Sequence, residues 1–206
     1  MIKQSVFNIN GFIKECECNI DIEIIKEYVN KLKRVQHGEI KAFADITIEQ
    51  LKKHKCKTML DIGCGHFSPP SPRVQEEIDV IGIDLNVAEL ESARKYYKDV
   101  ILLDALKALD HFGEKSFDAV ISFDFLEHLI KEDSIKLVND CEKIAKKIVV
   151  FFIPLDAVNM ERIGEHVDEL LMAHKCEWTF EEFENMGYET IYINGPFNHM
   201  LVWKDL

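Results

Sequence analysis

Six apolar residues in a row, Ile148-Val149-Val150-Phe151-Phe152-Ile153, leave this chain few folds to choose from. β-Branched and aromatic side chains favour a strand, and successive side chains of a strand point to opposite faces, so an unbroken run must be buried on both. A strand covered on both faces belongs in a mostly parallel sheet with helices above and below. The rest of the chain reads as the pieces of such a sheet. Lys57 to Ile62, Asp79 to Asp84, Val100 to Leu103 and Phe117 to Phe123 are short apolar strands separated by segments of helical periodicity. A short helix is predicted from Arg73 to Ile78, beyond the bend Pro69-Pro70-Ser71-Pro72. Asn86, followed three positions later by Glu89, opens a helix that runs to about Tyr97. From Asp133 to Lys146 the residues Leu137, Val138, Cys141, Ile144 and Ala145 make one apolar face.

Pro154 stops the apolar run, and Met160, Ile163, Val167, Leu170 and Leu171 mark a further helix. Thr179 with Glu182 is a capping-box signature for a short helix closed by Gly187. Tyr188 to Ile193 and His199 to Trp203 are the last strands, and Asn194-Gly195-Pro196 between them suits an antiparallel hairpin. The expected fold is α/β: a doubly wound, mostly parallel seven-stranded sheet with a C-terminal antiparallel hairpin, in three α-β-α layers. Two amphipathic helices precede it. Ile24, Ile25, Tyr28, Val29 and Leu32 form the stripe of the first, and Ile40, Phe43, Ala44, Thr47 and Leu51 that of the second. Residues 1–55 are expected to be a helical extension or lid, and residues 56–206 the sheet domain.

In a doubly wound sheet ligands lie beyond the carboxyl ends of the strands, so the strand-end residues carry the functional information. The first strand ends in Asp61-Ile62-Gly63-Cys64-Gly65, where Gly63 and Gly65 permit a tight turn and a close approach of backbone to ligand. The second ends on Asp84, 19 positions after Gly65, where a carboxylate can accept both hydroxyls of a ribose. The third ends at Asp104, and the fourth at Ser122, Phe123 and Asp124. A dinucleotide fingerprint requires G-x-G-x-x-G, but the third glycine is replaced by Ser68. Asp61 directly before the turn is a poor neighbour for a pyrophosphate and a good one for a cation.

With these motifs the chain resembles the class I S-adenosylmethionine-dependent methyltransferases over roughly residues 57–206. The resemblance rests on Met59-Leu60-Asp61-Ile62-Gly63-Cys64-Gly65, Val80-Ile81-Gly82-Ile83-Asp84-Leu85, Leu102-Leu103-Asp104-Ala105, Phe117-Asp118-Ala119-Val120-Ile121-Ser122 and Leu126-Glu127-His128-Leu129. It implies that S-adenosyl-L-methionine is the cofactor and S-adenosyl-L-homocysteine its product. By that resemblance Gly63 and Gly65 pass the methionine portion and Asp84 holds the ribose hydroxyls, with Asp61, Cys64 and Leu85 as further cofactor-binding residues. Asp104 and Ala105 meet the adenine, and Ser122 and Phe123 line the methionine side. The chain departs from the family in His66-Phe67-Ser68-Pro69-Pro70 and in Lys146-Lys147-Ile148, which lacks a glycine turn.

The implied reaction is methyl transfer to an oxygen or nitrogen of a small-molecule acceptor by direct displacement. A general base is needed only where the acceptor must lose a proton, and His128 is the expected one, with His166 and His174 as weaker candidates. Asp124, Glu127 and His128 fall at i, i+3 and i+4, so on a helix they would converge on one ion with His166, His174 or His199. The arrangement is similar to that of metal-dependent RNA 3'-end methyltransferases. Leu-Glu-His-Leu is nevertheless widespread in methyltransferases that use no metal, and none is expected. A nicotinamide-dependent oxidoreductase and a non-catalytic S-adenosylmethionine-binding protein are the alternatives.

A formal net charge of -12 disfavours a nucleic-acid partner, although Lys31, Lys33, Arg34 and Lys52, Lys53, Lys55 are local basic groups. Six scattered cysteines, Cys16 and Cys18 the only close pair, suggest free thiols in a reduced compartment. No signal segment or membrane-length apolar run is apparent, so the expected location is cytoplasmic. The oligomeric state is open.

Overall fold

The computed structural model describes residues 43–155, 173–193 and 198–206. The first predicted helix, the segment around Met160 to Leu171 with His166, the Asn194-Gly195-Pro196 turn, Cys16, Cys18 and the cluster Lys31, Lys33, Arg34 lie outside these residues.

The described elements follow the predicted order: α1 (Phe43–Lys53), β1 (Thr58–Ile62), α2 (Ser71–Val74), β2 (Asp79–Asp84), α3 (Val87–Ala93), β3 (Asp99–Leu102) and a 3-10 turn (Ala105–Lys107). Next come α4 (Ala108–Phe112), β4 (Phe117–Phe123), a second 3-10 turn (Leu126–His128), α5 (Lys131–Ile144), β5 (Ala145–Pro154), α6 (Phe180–Asn185), β6 (Glu189–Ile193) and β7 (His199–Asp205). The strands form one seven-stranded sheet in the order β3-β2-β1-β4-β5-β7-β6. β1 runs parallel to both β2 and β4, so the strand order reverses between β1 and β4. β7 is antiparallel to β5 and to β6, which sets His199 beside Pro154 at the carboxyl end of β5.

The apolar run behaves as its composition requires. Val149, Phe151 and Ile153 join the core on the α5 side with Leu137, Cys141, Ile144 and Phe183. Ile148, Val150 and Phe152 join the core on the α1 side with Leu51, Val74 and Leu90. These two cores make the three layers. Each fully buried large apolar side chain contributes about 1.5–3 kcal/mol, so Phe151 and Phe183, both 0 % exposed, are major anchors of the α5 layer.

Boundaries shift where side chains compete with the local pattern. The helix expected at Arg73 to Ile78 is instead Ser71–Val74, with proline in its first turn. α3 ends at Ala93, short of Tyr97, whose ring turns into the core. β5 starts at Ala145, three residues before the apolar run, because Ala145 is both the C-cap of α5 and the first strand residue.

Candidate active site at the carboxyl ends of the strands

The turn after β1 is tied to β2 by two backbone bonds: Gly63 N and Cys64 N both donate to the Ile83 carbonyl, at 2.9 and 3.0 Å. Gly63 has φ +68° and Gly65 φ +50°, the left-handed region that glycine tolerates. A Cβ on Gly63 would lie 2.1 Å from the Phe125 ring, so that ring covers one side of the turn. On Gly65 a Cβ would meet nothing within 4 Å. The turn is therefore closed at Gly63 and open at Gly65. The Asp84 carboxylate stands at the open side, its Oδ2 accepting from Gly65 N at 2.9 Å and its Oδ1 from Asn86 N at 2.8 Å. An ionised carboxylate has about four lone-pair sites, so two bonds orient it and leave capacity for a ligand.

Along the same edge Asp104 caps the first 3-10 turn, accepting from Leu106 N at 2.9 Å, and Ala105 is buried behind it. Leu85 and Leu102, at the ends of β2 and β3, are 52 % and 57 % exposed. Ser122 is buried, and its hydroxyl donates to the Ile62 carbonyl at 2.9 Å, joining the ends of β4 and β1. The Phe123 ring packs into the α1 layer against Phe43 and Phe152. Whatever Ser122 and Phe123 offer at the strand end is chiefly backbone.

Asp61 and Cys64 turn inward. Asp61 is fully buried, and three hydroxyls donate to it: Ser68 at 2.8 Å, Ser71 at 2.8 Å and Tyr97 at 2.7 Å. Burial outweighs these donors and pushes its pKa up to about 6. Tyr97 Oη also accepts from Ser68 N at 2.9 Å. The segment His66 to Pro72 thus receives an explanation that the sequence did not supply: Asp61 pins it to the sheet. The Cys64 thiol points at β2, where a Cβ on Gly82 would come within 2.8 Å of the sulfur and 3.2 Å of the Tyr97 ring. Gly82, Ser71, Tyr97 and Phe125 were missed as site-shaping residues. Gly82 left one trace, a glycine interrupting an otherwise apolar strand.

The exit of β4 departs from the sequence expectation. Asp124, Glu127 and His128 do not converge, because Leu126–His128 is a 3-10 turn and Asp124 precedes it at φ +47°. Asp124 instead faces His199, Oδ1 to Nε2 3.3 Å, and the His199 ring stacks on Phe152 at 4.4 Å. Glu127 and His128 meet His174, and one ligand atom from each of the three lies within 4.8 Å of the others. His128 is mostly buried: burial lowers its pKa, so it is neutral at neutral pH. Its Nδ1 lies 3.4 Å from the Ala173 carbonyl and its Nε2 3.8 Å from Glu127 Oε1, so both ring nitrogens face protein groups. Burial raises the Glu127 pKa to about 8. These three side chains are the described residues with a metal-ligand arrangement.

A family model described as a methyltransferase domain matches residues 60–153, the span from β1 through β5 that contains the glycine turn, Asp84 and the β4 exit. Over residues 60–153 the chain is similar to methyltransferase domains. Beyond that span the likeness is broader but more distant. Over 105 residues the chain is 27% identical to a ubiquinone biosynthesis O-methyltransferase of Histophilus somni (strain 2336), covering 47% of this chain and 43% of that protein. The chain thus spans less than half the length of that relative. Magnesium protoporphyrin IX methyltransferase from Synechocystis PCC 6803, solved with bound S-adenosylhomocysteine, shares the fold at TM-score 0.58 and 14% identity, with 90% and 99% of the two chains covered. The N-methyltransferase NodS from Bradyrhizobium japonicum WM9 does so at TM-score 0.61 and 14% identity, over 79% and 93%. Among the described residues no helix is long and apolar enough to cross a membrane.

Proposed function

We propose that the protein transfers a methyl group from S-adenosyl-L-methionine to an oxygen or nitrogen of a small-molecule acceptor by direct displacement. The observation that carries this reading is the Gly63 to Gly65 turn, open at Gly65, with the Asp84 carboxylate held there by the backbone N–H groups of Gly65 and Asn86. A nucleoside with a ribose diol fits such a carboxylate, and the absence of a third glycine at Ser68 argues against a dinucleotide. Asp84 would hold the ribose hydroxyls. The exposed Leu85 and Leu102 side chains, with Asp104 and Ala105, would flank the adenine, and the backbone at Gly63, Cys64, Gly65, Ser122 and Phe123 would border the methionine portion. Asp61 serves this site by holding the loop.

The cofactor supplies a methyl group already activated on a sulfonium sulfur. The chain's own work is to align the acceptor and exclude water. Phe125, over the turn, and the stacked rings of Phe43, Phe152 and His199 offer an apolar wall on the acceptor side. Where the acceptor must lose a proton, His128 and His199, at the exit of β4 and the start of β7, are the imidazoles we assign to it.

Calorimetric titration tests the cofactor, and turnover of labelled S-adenosylmethionine over an acceptor panel tests the transfer. Micromolar binding of S-adenosylhomocysteine with none of NAD is expected, and the opposite result overturns the reading. Asp84→Asn should weaken S-adenosylhomocysteine at least tenfold, as expected for loss of charge-assisted bonds of about 1.5–3 kcal/mol.

A further inference from the structure

We propose that a cavity at the amino end of the sheet binds an organic anion, an apolar chain or ring that carries a phosphate or carboxylate head. The cavity lies between the end of α1, the residues that lead into β1 and the connection from α2 to β2, and its volume is about 320 Å³. At roughly 30 Å³ per non-hydrogen atom, the share of a water molecule in the liquid, it holds about ten such atoms. Its floor is apolar: Leu51, Cys56, Val74 and Ile78 are all buried. Burial pushes the Cys56 thiol up to about 11, so the sulfur stays neutral at physiological pH. A mostly apolar hollow with a few polar groups at its edge is the ordinary form of a small-molecule site. The glycine turn and Asp84 lie at the opposite, carboxyl ends of the same two strands, so this site is separate from the one described above.

The rim supplies the charge. Lys52, Lys55 and Lys57 line the cavity and are exposed, and among the described residues none of the three is in an ion pair. The acids that adjoin these segments are already engaged. Asp205 pairs with Lys53 at 3.1 Å, Asp79 with Lys98 at 2.5 Å, and Asp118 with Lys147 at 3.2 Å while it accepts from Lys57 N at 2.7 Å. Glu77, the acid of the lining, makes no ion pair with any of the three lysines. In a chain of net charge -12 the rim is a local surplus of positive charge. Lysine stems extend the apolar wall while their ammonium groups face water, so the cavity complements an anion with an apolar body.

The backbone fixes where the lysines start. α1 ends in a Schellman motif: Lys55 N donates to the Lys52 carbonyl and Cys56 N to the Leu51 carbonyl, both at 3.0 Å. Lys55 is the left-handed residue of that motif, φ +50°, a position that glycine fills with less strain. Lys147 Nζ donates to the Lys55 carbonyl at 3.1 Å, and Asp79 N to the Lys57 carbonyl at 2.9 Å. The basic run Lys52-Lys53-His54-Lys55-Cys56-Lys57 is thereby divided. Lys53 and His54 turn to Asp205, at 3.1 and 3.0 Å, and the other three lysines border the cavity. Each presents a point charge on a flexible stem, which suits either head group without demanding a fixed fork geometry.

The test titrates the full chain by calorimetry with octyl phosphate and with decanoate, both below their micellar range, and with inorganic phosphate and 1-octanol alone. One amphiphilic anion per chain is expected, and whichever of the two binds more tightly identifies the head group. Inorganic phosphate and 1-octanol should each be weaker by about tenfold or more, since each lacks one half of the match. Binding should persist when S-adenosylhomocysteine is saturating. Lys55→Gly removes one cation and relieves the left-handed residue, so affinity should fall about threefold with an unchanged or raised urea midpoint. The triple variant Lys52→Gln/Lys55→Gly/Lys57→Gln should lose about tenfold or more, while Lys53→Gln, whose ammonium faces Asp205, leaves affinity unchanged. No binding of either amphiphile, equal affinity for inorganic phosphate or 1-octanol, full affinity in the triple variant, or displacement by S-adenosylhomocysteine overturns the proposal.

Discussion

Tyr97→Phe deletes one oxygen and tests whether the Asp61 cluster holds the loop after β1. That oxygen donates to Asp61 at 2.7 Å and accepts from Ser68 N at 2.9 Å, and all three residues are buried. Losing a hydrogen bond to a charged group removes about 1.5–3 kcal/mol, and leaving a buried N–H unpaired costs about 1–3 kcal/mol more. The ring stays, so no large cavity forms to add a packing loss. With partial relaxation of the loop the expected destabilisation is about 3 kcal/mol. Urea unfolding followed by tryptophan fluorescence measures it, through the shift in midpoint at constant m. Ser71→Ala supplies the control: it removes a different bond to the same carboxylate, so the two substitutions should be non-additive by about 0.5 kcal/mol or more. A loss in Tyr97→Phe below about 0.5 kcal/mol, within the range of an uninvolved surface change, would refute the account of how residues 66–72 are held.

Three further outcomes follow from the same geometry. Gly63→Ala places a methyl group 2.1 Å from the Phe125 ring at φ +68°, so S-adenosylhomocysteine binding should be lost by calorimetry even where folding survives. Gly82→Ala, whose Cβ meets the Cys64 sulfur at 2.8 Å, should cost about 1–3 kcal/mol in unfolding free energy; no change would show that Cys64 does not fill the space against β2. Because the Asp61 pKa rises from its ordinary 3.8 to about 6, folding favours its protonated form. Its contribution is complete below pH 3.8 and is lost as pH rises through 6, a change of about 3 kcal/mol. The stability of the wild type relative to Asp61→Asn should therefore decline between pH 4 and pH 7, and a rising difference contradicts the burial argument.

What the sequence disclosed and what it hid follow from the range of the interactions involved. An apolar run such as Ile148 to Ile153 announces its own burial, and the Gly63-Cys64-Gly65 turn needs only neighbouring residues to be recognised. Asp61 was harder to read. Its three donors lie 7, 10 and 36 positions away, and nothing local says whether a carboxylate at a strand end faces ligand or core. The exit of β4 failed for a different reason. Spacing at i, i+3 and i+4 brings side chains together only on an α-helix, and a left-handed residue followed by a 3-10 turn sends Asp124 to His199 and Glu127 to His174. Both partners come from distant segments placed by tertiary packing.

The two acidic strand ends, Asp61 and Asp84, divide the work of one site through the segment between β2 and β3. Asn86, the N-cap of α3, gives its own N–H to Asp84 while its side chain accepts from Ala88 N and Glu89 N. Past the end of that helix, Tyr97 reaches back to Asp61. One segment therefore orients the half-buried carboxylate at its start and secures the fully buried one at its finish. The half-buried carboxylate keeps lone pairs beyond its two backbone bonds; the desolvated one spends its oxygens on hydroxyls that hold the loop. Gly63 and Cys64 are tied separately, to the Ile83 carbonyl, so the turn proposed to border the ligand does not depend on the loop for its shape. Loosening Asp61 should accordingly lower stability more than affinity, whereas changing Asp84 or Gly63 should do the reverse.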